Sequence, residues 1–193
     1  IPNMLEAALG GGFKGLYCQG EDIAQSDPDT QHVAAALAAM ECVIVQDIFL
    51  NETAKYAHVL LPGSSFLEKE GTFTNAERRI SRVRQAMPPL AGLADWEVTQ
   101  RLAQALGYPM HYEHPSQIMA EIAALTPTFA GVSYEKLDRL GSVQWPCNES
   151  TGEAGTPIMH VQGFVRGRGR FFITRYVASD EKVTPRYPLL LTT

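Results

Sequence analysis

Short apolar runs alternate with a stretch of helical spacing in the first third of the chain. Residues 16–20 form one run, closed by glycine, and residues 42–48 form a second that is rich in β-branched side chains. Between them, Val33, Leu37 and Met40 recur at helical spacing after a helix-start signal at residues 26–28. Such runs predict buried strands, and the spacing predicts a helix. A strand, a helix and a strand form a βαβ unit, whose strands pair in parallel.

The pattern continues as an α/β fold beyond this unit. Residues 52–57 can form one or two helical turns, and residues 58–62 predict a third strand. Residues 68–74 show little periodicity and are interpreted as a loop, whereas residues 79–84 predict an exposed strand. The expected fold is therefore a Rossmann-like, doubly wound parallel sheet with helical additions and an irregular C-terminal linker.

The helical additions lie between residues 95 and 141. Asp95 and Ser116 can cap helices over residues 95–106 and 116–125, and residues 133–140 predict a shorter helix ended by Gly141. Beyond Gly141, proline and glycine interrupt every long element. We predict a Rossmann-like nucleotide-binding domain over residues 1–141, followed by a linker and the start of a C-terminal domain over residues 142–193. The absence of an initiating Met leads us to expect a piece of a longer polypeptide.

Composition narrows the class of protein. A chain of 193 residues with 45% hydrophobic and 19% charged residues is expected to be soluble and globular. Its net charge of -5 argues against nucleic-acid binding. No apolar run approaches the roughly 20 residues that span a bilayer, so we expect no direct membrane insertion. Cys18, Cys42 and Cys147 have neither zinc-site nor disulfide-framework spacing, which indicates a reducing compartment, namely the cytoplasm.

Acidic residues follow the predicted strands. The three strands end in Gly20-Glu21-Asp22, in Gln46-Asp47 and in Pro62-Gly63-Ser64. Ligands of open parallel sheets lie beyond these carboxyl ends. A carboxylate there can accept hydrogen bonds from the ring N–H and amino group of guanine, or from a ribose diol, and Gly20 lets the backbone approach the ligand. The alternative is that these acids only cap the following helices, as Asp47 can do.

Other motifs give weaker signals. The glycine pattern at residues 10–15 precedes a strand instead of following one, so we reject it as a dinucleotide fingerprint. Arg78, Arg79, Arg82 and Arg84 can pair with a pyrophosphate or keep an edge strand soluble; we favour the second role for the last two and leave the first two open. Residues 111–114 lack a complete metal-ligand set, and no serine or cysteine has a nucleophile context. We therefore assign no catalytic and no metal-binding residue.

Several motifs together resemble the molybdopterin oxidoreductases. Those shared with the whole family are Gly15-Leu16-Tyr17, Gly20-Glu21-Asp22, Val45-Gln46-Asp47-Ile48-Phe49, Thr53-Ala54, Leu61-Pro62, Glu68-Lys69-Glu70-Gly71-Thr72-Phe73-Thr74-Asn75 and Glu77-Arg78-Arg79. Those similar to formate dehydrogenase α subunits are Gly107-Tyr108-Pro109-Met110-His111-Tyr112, Ser133-Tyr134-Glu135-Lys136-Leu137 and Gln144-Trp145-Pro146-Cys147. The resemblance runs through nearly the whole chain.

The resemblance implies a cofactor site and its residues. The nucleotide end of a bis(molybdopterin guanine dinucleotide) would be bordered by Gly20, Glu21, Asp22, Gln46, Asp47, Asn51, Gly71, Thr72 and Phe73. Two positions depart from the family pattern, because Ile23 replaces a common Pro and Asn51 replaces a common Thr. Asn51 can still donate and accept hydrogen bonds.

The resemblance also implies an activity for the longer protein. It would be the catalytic subunit of a formate dehydrogenase that oxidises formate to carbon dioxide with molybdenum or tungsten. Iron–sulfur clusters would lie outside this chain, and electron-transfer subunits or domains would be its partners. The alternatives are a cofactor-less scaffold domain of the large subunit of a respiratory NADH dehydrogenase, or a nitrate reductase relative. In each case we expect this piece alone to be inactive.

Overall fold

The computed structural model describes residues 1–161, 163–164, 166–179 and 181–190. It divides into two compact units, Ile1–Pro157 and Ile158–Thr193. The first unit contains all the named helices and strands of the described residues. In the second, the described residues form turns, bends and an isolated bridge between Phe164 and Gly167. The predicted start of a C-terminal domain lies partly outside the described residues. The predicted division after residue 141 stays a prediction about the longer protein.

The first half of the larger unit contains the predicted parallel strands. They are β1 (Gly15–Gln19), β2 (Cys42–Asp47) and β3 (Val59–Pro62), in the order β1-β2-β3. Both pairs are parallel, with Gln19 opposite Gln46 and Asp47 opposite Pro62. The connections contain α2 (Ile23–Ser26), α3 (Thr30–Ala39) and a 3₁₀ helix (Thr53–Tyr56). A mixed α/β fold with a parallel sheet is thereby confirmed.

The predicted start of the crossover helix was wrong by a few residues. The helix α3 begins at Thr30, and Asp29 is its N-cap, with its carboxylate accepting the N–H of His32 at 3.2 Å. Its apolar face and β2 share a core with α1 (Pro2–Leu9). Four side chains at the centre of that core are fully buried: Val33, Leu37, Val43 and Val45.

An antiparallel sheet lies in the second half of the same unit. Its strands are β4 (Gly71–Thr74), β5 (Arg79–Val83) and β6 (Ser142–Gln144), with β5 in the middle. The loop interpretation of residues 68–74 is therefore wrong for Gly71–Thr74, and part of the predicted linker is a strand. Both short strands exist because they pair with β5. The strand β5 is neither exposed nor at an edge, since Ile80 is 1% exposed in the second core.

Three helices accompany the antiparallel sheet: α4 (Asp95–Ala105), α5 (Pro115–Leu125) and α6 (Tyr134–Leu140). Two predicted caps were wrong. Ala94 is the N-cap of α4, and the carboxylate of Asp95 points elsewhere; His114 is the N-cap of α5, and its Nδ1 accepts the N–H of Ser116 at 3.2 Å. In the described part of the chain, no helix has the length and hydropathy to cross a membrane.

Candidate functional site

Two adjoining cavities open near the carboxyl ends of the parallel strands. The smaller, of about 280 Å³, is bordered by the ends of β1 and β2, and the larger, of about 610 Å³, by β4, α4 and α5. Five residues line both: Gln19, Gly20, Lys69, Phe73 and Asp95. We treat the two cavities as one continuous cleft. Its position is the one where ligands of open parallel sheets are bound.

Gly20 forms the turn at the end of β1. Its φ of +64° is in the left-handed region, which favours glycine. Its N–H donates to the carbonyl of Gln46 at 2.9 Å, which extends the parallel pairing by one residue. No atom lies within 4 Å of a Cβ built at this position, so the backbone faces open space in the cleft.

Gln46 is fully committed to other side chains. Its Oε1 accepts from the hydroxyl of Tyr17, and its Nε2 donates to Oδ1 of Asp95 at 2.8 Å. The residue is only 1% exposed. Burial raises the pKa of Tyr17, and the charge of Asp95 adds to that effect. Gln46 borders the smaller cavity, but the oxygen and the nitrogen of its amide are both already bonded to protein side chains. We therefore interpret it as a residue that positions Asp95.

At the cleft, Asp95 links the region of the parallel sheet to the region of the antiparallel sheet. Its Oδ1 also accepts the N–H of Ser64 at 2.9 Å, its own N–H donates to Oγ of Ser64 at 3.1 Å, and its Oδ2 pairs with the ammonium of Lys69. Burial raises the pKa of Asp95, but the hydrogen bonds from Lys69, Ser64 and Gln46 outweigh it and leave the pKa lowered. Sequence reasoning missed Asp95 and Lys69 as site residues. No local signal pairs them, because the two residues lie 26 positions apart in the sequence.

Asp47 combines the two roles that the sequence left open. Its Oδ1 accepts the N–H groups of Ile48 at 2.6 Å and Phe49 at 3.3 Å, and its Oδ2 accepts Nδ2 of Asn51 at 3.0 Å. Asn51 in turn accepts the N–H of Ala54 at 2.8 Å. Asp47 therefore closes the turn after β2, yet it also lines the smaller cavity. Oδ1 already accepts two hydrogen bonds and Oδ2 one, so Oδ2 retains one acceptor site.

Glu21 and Asp22 are held locally. Asp22 accepts the N–H and hydroxyl of Thr53 at 2.9 and 2.7 Å and the N–H of Glu52 at 3.2 Å. These bonds lower its pKa despite the opposing effect of burial. Glu21 accepts the hydroxyl of Ser26 at 2.7 Å. Both residues, like Asn51, lie outside the lining of the two cavities.

Gly71, Thr72 and Phe73 lie on the strand β4 and line the larger cavity. Phe73 also lines the smaller one, and it is 49% exposed. The rest of the larger cavity is mainly aromatic and aliphatic. Its members include Trp96, Met110, Tyr112, Ile118, Met119, Ile122 and Tyr134. This wall offers flat apolar faces to a ligand.

The arginines are occupied within the antiparallel region. Arg78, in the left-handed region with φ of +66°, donates to the carbonyls of Trp145, Thr156 and Pro157. Arg79 pairs with Glu77.

Arg82 is only 9% exposed; it pairs with Glu70 and Asp138 and lies 3.7 Å over the ring centroid of Tyr134. Arg84 pairs with Asp138 at 2.6 Å. These contacts favour structural roles for all four. Among the described residues, no three His, Cys, Asp or Glu side chains are grouped as a metal site.

The chain also matches known proteins in sequence and in structure. Residues 2–105 match the family model of the molybdopterin oxidoreductases. The chain is 41% identical over its full length to the α subunit of an F420-dependent formate dehydrogenase 1 of Methanococcus maripaludis and, likewise, to that of an F420-dependent formate dehydrogenase of Methanocaldococcus jannaschii. It is 44% identical over 88% of its length to a putative formate dehydrogenase of Staphylococcus haemolyticus.

These relatives are much longer than this chain. The chain spans 29% of the length of the two methanogen proteins and 17% of the staphylococcal one. Among solved structures, acetylene hydratase from Pelobacter acetylenicus matches 79% of the chain with a TM-score of 0.60 and 16% identity, and the chain covers 22% of that protein. At this identity the match supports the fold alone.

Proposed function

Because this chain belongs to the molybdopterin oxidoreductase family, we propose that it is part of the catalytic subunit of a formate dehydrogenase and holds the guanine end of its cofactor. The longer protein would oxidise formate to carbon dioxide, releasing one proton and two electrons. The observation that supports this activity is the 41% identity to formate dehydrogenase α subunits over the whole of this chain. Formate is then the substrate, and electron-transfer subunits or domains are the partners.

The cofactor we propose is a bis(molybdopterin guanine dinucleotide) with molybdenum or tungsten. When bound, its metal centre supplies the two-electron chemistry, and iron–sulfur clusters elsewhere in the longer protein carry the electrons onward. The role of this chain is to bind and orient the nucleotide end. We also propose that the three parallel strands belong to a Rossmann-like, doubly wound sheet, since the cleft lies beyond their carboxyl ends.

The residues of the cleft fit a guanine nucleotide. Asp47 presents a carboxylate to a cavity of about 280 Å³, where its Oδ2 can accept a hydrogen bond from the ring N–H or the amino group of guanine. The half-exposed ring of Phe73 offers a stacking face, and Gly20 allows close backbone approach. Gly71 and Thr72 line the adjoining, mainly apolar cavity. Glu21, Asp22 and Asn51 would support the site from outside its lining.

The free state of the three cysteines bears on the compartment. Cys18 and Cys147 are buried and Cys42 is exposed, and none is in a disulfide. All three belong to the described residues. A reducing compartment suits such a chain, so we propose a cytoplasmic location for the longer protein.

The test uses the full-length protein purified from its native source or a related host. We expect molybdenum or tungsten in stoichiometric amount by elemental mass spectrometry, guanine nucleotide after acid release, and formate-dependent reduction of a viologen dye. Asp47→Ala should lower the released guanine nucleotide by about tenfold, because a charge-assisted hydrogen bond is lost.

Asp29→Ala is the matched control for Asp47→Ala. Asp29 also accepts a backbone N–H but belongs to the cap of α3 and lies outside the cleft lining. Its variant should keep the wild-type nucleotide content. A full-length protein with iron but neither molybdenum nor tungsten would instead identify a cofactor-less scaffold, and normal nucleotide content in Asp47→Ala would refute the proposed site.

A further inference from the structure

Lys69 has an unusual position in the cleft. It lines both cavities, and among the described residues it is the one basic side chain in the lining of either. Its side chain is 26% exposed, and its ammonium pairs with Asp95, which is 18% exposed. An ammonium carries three donors, and Asp95 takes one of them. Two donors are therefore available to a ligand.

Asp95 would remain satisfied if Lys69 also bound a ligand. Its Oδ1 accepts Nε2 of Gln46 at 2.8 Å and the N–H of Ser64 at 2.9 Å, independently of Lys69. The pairing therefore holds Lys69 at the cavity wall without requiring all of its donors. This arrangement resembles a positioned donor more than a closed structural ion pair such as that around Arg82.

The charge of the smaller cavity selects among possible ligand groups. Its lining carries two carboxylates, Asp47 and Asp95, against the single ammonium of Lys69. A phosphate, with up to two negative charges of its own, is repelled by this excess of acid. A neutral ring with both donor and acceptor edges is compatible with it, and Phe73 provides an exposed face against which such a ring can stack.

We propose that Lys69 reads the acceptor edge of a guanine base, donating to O6 and N7, while Oδ2 of Asp47 accepts from the N1–H or the 2-amino group. The inference rests on the proposed function and adds a residue that determines its base specificity. Guanine matches both partners, because O6 and N7 are acceptors and the adjacent N1–H and 2-amino groups are donors. Adenine carries an amino donor where guanine has O6, so it opposes the ammonium with a donor.

The experiment compares nucleotides on the full-length protein prepared without cofactor. Calorimetric titration with GDP and ADP separates contacts to the base from contacts to the phosphates, which the two ligands share. In the wild type, GDP should bind more tightly than ADP. Lys69→Gln should weaken GDP binding by about tenfold, the value of one charge-assisted hydrogen bond, and leave ADP within about twofold.

Two further variants serve as controls. Lys69→Arg should retain GDP binding within about threefold, because a guanidinium donates well to O6 and N7. This conservative variant also keeps a cation beside Asp95, so a loss seen only in Lys69→Gln cannot come from misfolding of the cleft alone. Lys55→Gln removes a Lys from an exposed pair with Glu52, outside the cleft lining, and should leave both affinities unchanged.

The outcomes are distinguishable from failure of the proposed function. Equal weakening of GDP and ADP binding by Lys69→Gln would identify a phosphate contact and overturn the inference. The inference would also be overturned if Lys69→Gln left GDP binding unchanged while Asp47→Ala abolished it. In that last case the guanine site itself would stand. If neither variant changes GDP binding, the proposed guanine site fails and this inference fails with it.

Discussion

In the region of the parallel sheet, Asp22 and Asp47 accept hydrogen bonds from backbone N–H groups and uncharged side chains, whereas around the antiparallel sheet Glu70 and Asp138 face Arg82. Both regions concentrate charge and both place a carboxylate at a cavity, but Glu70 is paired with a cation, whereas Asp47 is bonded only to neutral groups. Ion pairing in the second keeps its arginines away from ligands. Charge density along the sequence therefore does not identify a site; the partners of each charge do.

The largest expected effect on stability comes from replacing a glycine of positive φ by alanine in each region. Gly155, beside β6, has φ of +86°, and a Cβ there would lie 1.8 Å from the carbonyl oxygen of Gln144. Gly155→Ala should therefore lower the free energy of unfolding by about 3 kcal/mol or more, measured by urea unfolding. Gly20→Ala should cost only about 1 kcal/mol, since its Cβ meets no atom within 4 Å and only the left-handed φ is strained. Equal costs would contradict the comparison.

The buried arginine gives the next effect. Arg82→Leu should lower the free energy of unfolding by about 3 kcal/mol, because it leaves Glu70 and Asp138 without their shared partner and removes the contact with the ring of Tyr134. Arg84→Leu is the matched control. Arg84 pairs with the same Asp138 but is 63% exposed, so its loss should cost less than about 0.5 kcal/mol by the same urea assay. A large loss in both variants would mean that burial is not the cause.

A smaller effect depends on pH in the parallel region. The pKa of Asp22 is lowered on folding, so the carboxylate stabilises the fold above its unfolded pKa of about 3.9 and loses that contribution as pH falls towards the folded value. At pH 7, Asp22→Asn should be less stable than the wild type by about 1 kcal/mol, the value of a typical carboxylate cap. Urea unfolding at decreasing pH should show the free energies of unfolding of Asp22→Asn and the wild type converging once Asp22 is protonated. A difference that persists there would exclude the charge as its source.

The smallest effect is expected for exposed ion pairs in both regions. Lys14 pairs with Glu41 beside the parallel sheet, and Arg139 pairs with Glu153 near the antiparallel one, with each side chain more than half exposed. Lys14→Gln and Arg139→Gln should each leave the free energy of unfolding unchanged within experimental error, because solvent screens such pairs. Thermal unfolding of each variant and of the wild type, in low and in high salt, measures the change in stability. A larger change in one region would show that its surface charges are coupled to its core.

Several elements could be predicted from the sequence because their own residues specify them. The strands β1, β2 and β3 follow apolar runs that bury themselves in any α/β core, and α6 begins after Ser133, whose hydroxyl accepts the N–H of Lys136 at 3.1 Å. The candidate residues Gly20, Asp47 and Phe73 also follow from strand ends and family motifs. Each of these three lines the cleft.

The remaining features depend on residues distant in the chain. The strand β6 is only three residues long and forms because β5 supplies its partners. Lys69 and Asp95 meet across 26 residues, and Gln46 reaches Asp95 across 49, so no local pattern indicates that they share a cleft.

Local hydrophobic periodicity and turn chemistry thus determined that the strands β1, β2 and β3 form and which acids follow them. Only the tertiary structure decided which of those acids line a cavity and which are tied to backbone groups or arginines, because electrostatic and hydrogen-bond partners are chosen by distance in space.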